Sequence, residues 1–503
     1  MSASKTLAKG MLIILLATAV VKVFGYGFKI VASRWLGVEG FGLFSLALAL
    51  FTLIAGLLFL GINLSIARYI AFYRGKNKLA SIKSTISSGL LLIINLAVLA
   101  SIVVFFFANQ ISSLMGHNTL TPLLKLFAIM FPFYAIILSI EKILEGFQRI
   151  DLSVFSNLIL NGSKFLLLFV AIFLGVKVFG VAVSFLVATI ITAFIMLLIF
   201  KYKIINKFFK KEKGNEIKSS IKEIFFHSLP LTVAAMVHTL LTWGDTVILG
   251  FFRSVAEVGV YSLVLPTAQL LALPVIASNT VLVPLISNLF AKRKNKEVTN
   301  VYKTATKWIF LMMVPLLVLI LLFPQRIINT VAGSEFVAGY TALVILAIGV
   351  FIGSLATPAN MILLSVNKTK LMMKNSIIAA IVNIVLNLIL IPKHGLIGAA
   401  VAFLVSYVVL FLLRIYEVKT ILKIEPFSIK MVYIVILGII TAFVAYYSNN
   451  WISPFISFDI VLLIINGVTI CLVYVLLLLL FKCFDEEDKE IFQAIKKRLF
   501  LKK

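Results

Sequence analysis

Charged residues are scarce in this chain. They make up 13% of its 503 residues, whereas about 25% is usual for soluble domains. Acidic residues are the scarcer kind, with 19 Asp and Glu against 46 Lys and Arg. A soluble protein of this length could not cover its surface with so few charges, so the composition excludes an ordinary soluble globular fold.

Cysteines and nucleotide-binding motifs are also lacking. The chain has only two cysteines, Cys471 and Cys483, which excludes a disulfide framework and a cysteine-rich metal site. No glycine-rich loop of the kind that cradles phosphates is present, which argues against ATP as the direct energy source. We therefore expect no cofactor.

The net charge is +27, which in a soluble protein would suggest binding to nucleic acid. Here the basic residues fall almost wholly between apolar runs, and no nucleic-acid-binding motif is present. We expect these residues to orient the chain in a membrane and to attract anionic lipids. Nucleic acid is not an expected partner.

Long apolar runs dominate the sequence. The hydrophobic fraction is 62% and the mean hydropathy is +1.14. A transmembrane helix needs about 20 mainly apolar residues, and these runs are too long and continuous for barrel strands. We predict an all-α polytopic membrane protein with about fourteen transmembrane helices. The predicted spans are 11–33, 41–62, 86–108, 120–143, 153–174, 178–200, 225–250, 258–290, 305–324, 340–364, 371–391, 396–416, 430–448 and 458–481.

The basic residues predict the orientation of these spans. With the N-terminus inside, 37 of the 46 Lys and Arg fall in inner segments and 6 in outer segments. Because positively charged segments stay on the cytoplasmic side, we predict a multi-pass plasma-membrane protein with both termini in the cytoplasm. The other three, Lys22, Lys29 and Lys164, lie within predicted spans.

An internal repeat predicts the domain organisation. Residues 179–188 match 397–406 at an offset of 218, and residues 38–46 match 255–263 at an offset of 217. Because each copy holds an even number of spans, the copies are parallel, and two such lobes suit alternating access. The predicted order is an N-lobe (1–200), a basic cytoplasmic linker (201–224), a C-lobe (225–418), two further helices (419–482) and a cytoplasmic amphipathic tail (483–503).

Two segments carry a resemblance to a known family. Residues 34–46 read RWLGVEGFGLFSL and resemble the R-x-L-G-x-E-x-F-G-x-F-S segment between spans 1 and 2 of polysaccharide-transport flippases. Those flippases belong to the multidrug/oligosaccharidyl-lipid/polysaccharide exporter superfamily. Residues 243–250 (WGDTVILG), followed by 258–262 (VGVYS), resemble that family's junction between spans 7 and 8. The order of six, six and two spans covers the whole chain.

The resemblance implies a function. Members of this family are expected to move polyprenyl-(pyro)phosphate-linked oligosaccharides from the inner to the outer leaflet by alternating access. It therefore implies a transporter rather than an enzyme. The expected partners are the lipid-linked glycan, membrane lipids and glycan-assembly enzymes, and we expect the monomer to be functional.

Other functions stay open at this point. A cation-coupled multidrug exporter of the same superfamily would need an acidic cavity in the N-lobe. The only carboxylate within a predicted span of that lobe is Glu141, at the cytoplasmic end of span 4 beside Lys142. A membrane enzyme would need catalytic carboxylates or histidines in sizeable outer loops, and these loops are short. A non-transporting scaffold is not excluded by any motif.

Charges within the membrane are the first candidates for a site. Lys22 and Lys29 lie seven residues apart and share one face of span 1, with Gly25 between them. Ammonium groups in a low-dielectric cavity bind a pyrophosphate strongly, so we predict substrate binding at both. Alternatively, Lys22 pairs with a carboxylate and Lys29 snorkels outward.

Span 7 carries a second polar pair, His238 and Asp245, also seven residues apart. We predict that they line the cavity and that Asp245 couples transport to an ion or pairs with a lysine of span 1. Alternatively, His238 is a satisfied core histidine and Asp245 belongs to a fixed salt bridge.

The remaining candidates are polar residues of other spans. Thr52 and Gln269 occupy matching repeat positions, as do Ser45 and Ser262, and they are expected to hydrogen-bond sugar hydroxyls or simply to support helix packing. Lys164 lines the cavity or binds Glu141. Arg34 contacts the departing pyrophosphate or anchors a helix end.

Overall fold

The computed structural model describes residues 3–208, 217–292, 294–366, 368–422, 429–456, 458–481 and 483. Every regular element in these ranges is helical. The helices are α1 (Ala3–Gly75), α2 (Leu79–Phe106), α3 (Ala108–Leu114), α4 (Thr121–Gly146), α5 (Ile150–Phe173), α6 (Val178–Phe200), α7 (Asn206–Phe208), α8 (Ile217–Phe252), α9 (Val255–Gln269), α10 (Leu273–Ala291), α11 (Asn295–Leu322), α12 (Pro324–Ala332), α13 (Tyr340–Leu355), α14 (Thr357–Ser365), α15 (Thr369–Leu422), α16 (Ile429–Ile452) and α17 (Asp459–Leu480).

The predicted span count is confirmed for the described residues. Twelve helical segments are long and apolar enough to cross a membrane. Two of them, 17–59 and 369–420, each hold two predicted spans, and the backbone leaves the helical conformation between these spans at Gly37 (φ 69°) and Gly395 (φ 56°). The chain is therefore a multi-pass α-helical membrane protein, while its orientation stays a prediction.

The eighth span is irregular, and it contains Pro266, Pro274 and Pro284. A 3-10 turn over Leu270–Ala272 separates α9 from α10. Pro274 lies in the first turn of α10, where a missing N–H leaves no hydrogen bond unmade. The regular helix is thus interrupted at a point where the proline costs no helical hydrogen bond.

The chain forms two compact units, Met1–Leu263 with Leu386–Leu396, and Val264–Val385 with Ile397–Lys503. The predicted lobe boundaries stay a prediction. α8 begins at Ile217, within the predicted linker. Residues 209–216 of that linker, and the predicted amphipathic tail from 484 onward, lie outside the described residues.

Aromatic rings form the core of the first unit. The ring of Phe44 on α1 lies 5.9 Å from Phe28, 6.1 Å from Phe127 on α4 and 6.4 Å from Phe185 on α6, measured between centroids. Such pairs contribute about 0.5–1.5 kcal/mol each beyond the area that they bury. They fix the two spans of α1 against α4 and α6.

Hydrogen bonds connect the last two helices, α16 and α17, to α12 and to each other within the second unit. The guanidinium of Arg326 donates to Asn449 Oδ1 (2.5 Å), and the Asn329 amide donates to Asp459 Oδ2 (2.6 Å). The Asn466 amide also donates to Asn449 Oδ1 (3.1 Å). These bonds join α12 to α16 and α17 at their predicted outer ends.

Candidate functional site

Three lysines of the first unit come together, two from α1 and one from α5. Lys22 and Lys29 are close enough for their like charges to repel each other, and so are Lys29 and Lys164. We call Lys22, Lys29 and Lys164 the lysine cluster. The predicted proximity of the first two follows from their helical spacing, while Lys164 joins them through the packing of α5 on α1.

Glycines of α1 bring α5 to this position. A β-carbon on Gly25 would lie 3.2 Å from Asn161 Oδ1, and one on Gly27 would lie 3.3 Å from the ring of Phe165. Larger residues at these two positions would push α5 away. The small residues between the lysines are therefore what allows a third lysine to approach them.

Aromatic rings hold the ammonium group of Lys164. Its Nζ lies 5.3 Å from the ring centroid of Phe28 and 5.2 Å from that of Phe185. A ring face attracts a cation without cancelling its formal charge. The ammonium group is thereby positioned and stays available to an anion.

The two carboxylates of α4 form hydrogen bonds with residues outside the lysine cluster. Glu145 accepts from Lys142 (2.6 Å), and Glu141 accepts from the Asn157 amide (3.1 Å). Across the ranges that the structure describes, no carboxylate forms an ion pair with the lysine cluster, and Lys164 does not pair with Glu141. The cluster is thus a concentration of positive charge within apolar helices.

A buried carboxylate forms a second polar centre in the first unit. Asp245 on α8 is 1% exposed. Its Oδ2 accepts from the Tyr261 hydroxyl on α9 (2.7 Å), and its Oδ1 accepts from the Asn387 amide on α15 (2.6 Å). Three helices therefore meet at this carboxylate, which we call the aspartate centre.

Sequence reasoning missed Tyr261 and Asn387 as partners of Asp245. Tyr261 lies in the 258–262 motif, and Asn387 stands one helical turn from Asn383 in an otherwise apolar run. Polar residues one turn apart within a transmembrane helix are a usable signal. Their partner, Asp245, is identified only by the way in which α8, α9 and α15 pack together.

The other predicted residues differ in their exposure and in the unit to which they belong. The Thr52 hydroxyl donates within α1 to the Leu48 carbonyl (2.7 Å). His238 and Arg34 are exposed, and Gln269 is exposed at the end of α9. Gln269 belongs to the second unit, whereas Thr52, His238 and Arg34 belong to the first. Their predicted contacts with substrate stay predictions.

Comparison with known families gives two matches. The sequence model described as "Polysaccharide biosynthesis protein" matches residues 7–290, which is more than half of the chain. A second, described as "MatE", matches residues 230–389.

Known proteins resemble the chain over different lengths. Stage V sporulation protein B of Bacillus subtilis is 25% identical over 92% of this chain and 96% of its own length. The probable low-salt glycan biosynthesis flippase Agl15 of Haloferax volcanii is 26% identical over 41% of this chain and 43% of its own length. Among solved structures, the inward closed conformation of the lipid II flippase MurJ matches with a TM-score of 0.75 and 19% identity, over 93% of this chain and 98% of that one. This last match shows a shared fold.

Proposed function

Because the chain belongs to the polysaccharide biosynthesis protein family, we propose that it is a flippase for polyprenyl-(pyro)phosphate-linked oligosaccharides. It moves them from the inner to the outer leaflet of the plasma membrane by alternating access. The chain acts as a transporter rather than as an enzyme. Two of the proteins that it resembles, a probable glycan biosynthesis flippase and a lipid II flippase, support this proposal.

The observation that carries the proposal is the lysine cluster. A diphosphate linkage is a compact, multiply charged anion, and charge-assisted hydrogen bonds to ammonium groups are about twice as strong as neutral ones. Lys22, Lys29 and Lys164 offer up to nine N–H donors between them. The repulsion among these lysines falls when an anion binds, so occupied and empty states differ in free energy.

The aspartate centre is the proposed coupling element. Asp245 accepts hydrogen bonds from two uncharged side chains, Tyr261 and Asn387, which belong to different helices. Loss of its negative charge by protonation, or neutralisation by a cation, changes the strength of both hydrogen bonds. A change in charge at this one side chain therefore alters how α8, α9 and α15 pack together.

A cation-coupled exporter of small molecules is the second candidate. The observation in its favour is that Glu141 and Asp245 are both buried carboxylates in the first unit. A cationic drug would need such a carboxylate facing it. Glu141 instead accepts from Asn157, and the three lysines repel a cation.

The test is mass spectrometry of lipid extracts from cells depleted of this protein. If the protein is a flippase, its depletion should cause a polyprenyl-linked glycan to accumulate while the sugar of that glycan disappears from the cell surface. Re-expression of the wild-type chain should reverse both changes. Unchanged lipid-linked glycans combined with increased sensitivity to cationic dyes would support the exporter and contradict the flippase.

A further inference from the structure

Large aromatic side chains are exposed where α16 is joined to α17. Trp451 is 78% exposed, Phe455 82% and Phe458 72%. Trp451 lies in the last turn of α16, Phe455 ends the 3-10 turn Ser453–Phe455, and Phe458 directly precedes α17. We call these three residues the aromatic tip. Exposed rings grouped in one short connection mark a surface that meets another molecule or an apolar phase.

The aromatic tip lies in a stretch of sequence without charge. No charged residue occurs between Lys430, near the start of α16, and Asp459, the first residue of α17. A surface that binds a water-soluble protein usually surrounds its apolar centre with a polar rim. Uncharged aromatic rings instead prefer the boundary between lipid headgroups and acyl chains, where tryptophan is enriched. The composition therefore favours lipid over a soluble protein.

The length of α16 places the aromatic tip at this boundary. The helix rises about 30 Å between Met431 and Trp451, and the hydrocarbon core of a bilayer is also about 30 Å thick. The helix that follows, α17, has a similar length from Asp459 to Leu480. With the Lys430 end of α16 at one face of the membrane, Trp451 reaches the opposite face.

Hydrogen bonds hold both ends of the connection that carries the aromatic tip. The guanidinium of Arg326 donates to Asn449, and the Asn329 amide donates to Asp459. Asn449 and Asp459 flank the aromatic tip in the sequence, and both donors belong to α12 of the same compact unit. The depth of the rings is therefore linked to the depth of α12.

We propose that the aromatic tip anchors the last two helices in the boundary between headgroups and acyl chains of the predicted outer leaflet. The partner is the bilayer itself. The rings enter the upper acyl region, while the indole N–H of Trp451 donates to an oxygen of the headgroup region or to water. The hydrogen bonds to Arg326 and Asn329 hold α12 at the same level. This anchoring does not depend on which molecule the protein transports.

Quenching of Trp451 fluorescence by lipids tests the proposal. The full chain with Trp35→Phe, Trp243→Phe and Trp308→Phe keeps Trp451 as its single tryptophan. In phosphatidylcholine vesicles, bromine atoms placed near the headgroup should quench Trp451 about twice as strongly as bromine atoms placed near the chain end. Iodide added to the water should quench it weakly.

Two results would overturn the proposal. Strong quenching by iodide and none by brominated lipid would place the aromatic tip in water, open to a protein partner. Stronger quenching by the deep bromine atoms would place it inside the hydrocarbon core. If the single-tryptophan protein does not fold, the difference in emission between the wild-type chain and Trp451→Phe provides the same measurement.

Substitution of the other two rings tests whether they set the depth. In a Phe455→Ser/Phe458→Ser variant, quenching of Trp451 by shallow bromine atoms should fall about twofold, and quenching by iodide should rise. Phe173→Ser is the matched control, because Phe173 is 90% exposed at the end of α5 in the first unit. It should leave Trp451 unchanged. Unchanged quenching in the double variant would show that α16 alone sets the depth, and would contradict anchoring by the aromatic tip.

Discussion

At the scale of single residues, the three lysines show which contacts can be predicted from the sequence and which cannot. The spacing of Lys22 and Lys29 places them on one face of a helix, and the structure keeps them within electrostatic reach of each other. For Lys164 the sequence shows only that the charge lies within a span. Its approach to Lys29 depends on how α5 packs at Gly25 and Gly27, which no local pattern encodes.

Removing the charge at Lys29 tests the proposed anion site. Lys29→Gln should weaken binding of farnesyl diphosphate to purified protein by about ten- to a hundredfold, because a hydrogen bond to a charged group contributes about 1.5–3 kcal/mol. Isothermal titration measures the effect. Lys177→Gln, at an exposed helix start, is the matched control and should bind as wild type does. Equal binding by both variants would exclude Lys29 from the site.

Two fully buried tyrosines allow a matched comparison at the aspartate centre. Tyr261 donates to Asp245, whereas the Tyr302 hydroxyl has no hydrogen-bond partner among the described residues. Tyr261→Phe should lower the free energy of unfolding by about 1–3 kcal/mol, and Tyr302→Phe should leave it nearly unchanged. Denaturant titration in detergent micelles measures both. Equal losses would mean that the Tyr261 hydroxyl contributes only by its volume.

At the scale of elements, apolar run length predicts the helices but not how they are joined. The sequence predicts spans 1 and 2 as separate helices, and the structure runs them together through one non-helical residue, Gly37. Spans 11 and 12 are joined in the same way at Gly395. Hydropathy averaged over a span does not detect such a joint, because the backbone leaves the helical conformation at only one residue. The glycine at each joint is the signal that the sequence does contain.

Gly37 has a backbone conformation (φ 69°, ψ −179°) that is almost confined to glycine. Gly37→Ala should therefore cost about 1–3 kcal/mol of folding free energy. Gly162→Ala is the control: this glycine is helical with open space around it, so alanine should stabilise by up to about 1 kcal/mol. Thermal unfolding in detergent distinguishes the two, and a stabilising Gly37→Ala would contradict the structure at this joint.

At the scale of the whole molecule, composition and charge distribution predict the membrane fold, while the sites depend on contacts between distant helices. The aspartate centre joins residues 142 positions apart, Asp245 and Asn387. The repeat offset comes closest to a long-range signal, because it relates Gly42 to Gly259 by sequence alone. It does not show that the two glycines touch, as they do in the structure, since equivalent positions of a repeat need not lie near the axis that relates the copies.

The lysine cluster has no ion-paired acid in the described part of the chain. This predicts that the whole protein selects anionic ligands over neutral and cationic ones. Farnesyl diphosphate should bind, farnesol should bind far more weakly, and a cationic dye such as rhodamine should not compete. Binding of the diphosphate should weaken as salt rises wherever the lysines are reached by solvent. Fluorescence competition measures all three ligands, and tight dye binding would favour the exporter instead.

The lysine cluster forms no ion pair with an acid of the described helices, so its positive charge attracts anions from solution. Lys164 lies over Phe28 and Phe185 rather than against an acid, so the described helices supply no permanent negative partner for this charge. Small anions from the solution are then competitors of the substrate. At constant ionic strength, rising inorganic phosphate should raise the apparent Kd for farnesyl diphosphate, which would tie the protein's working rate to the phosphate level on the side where it loads.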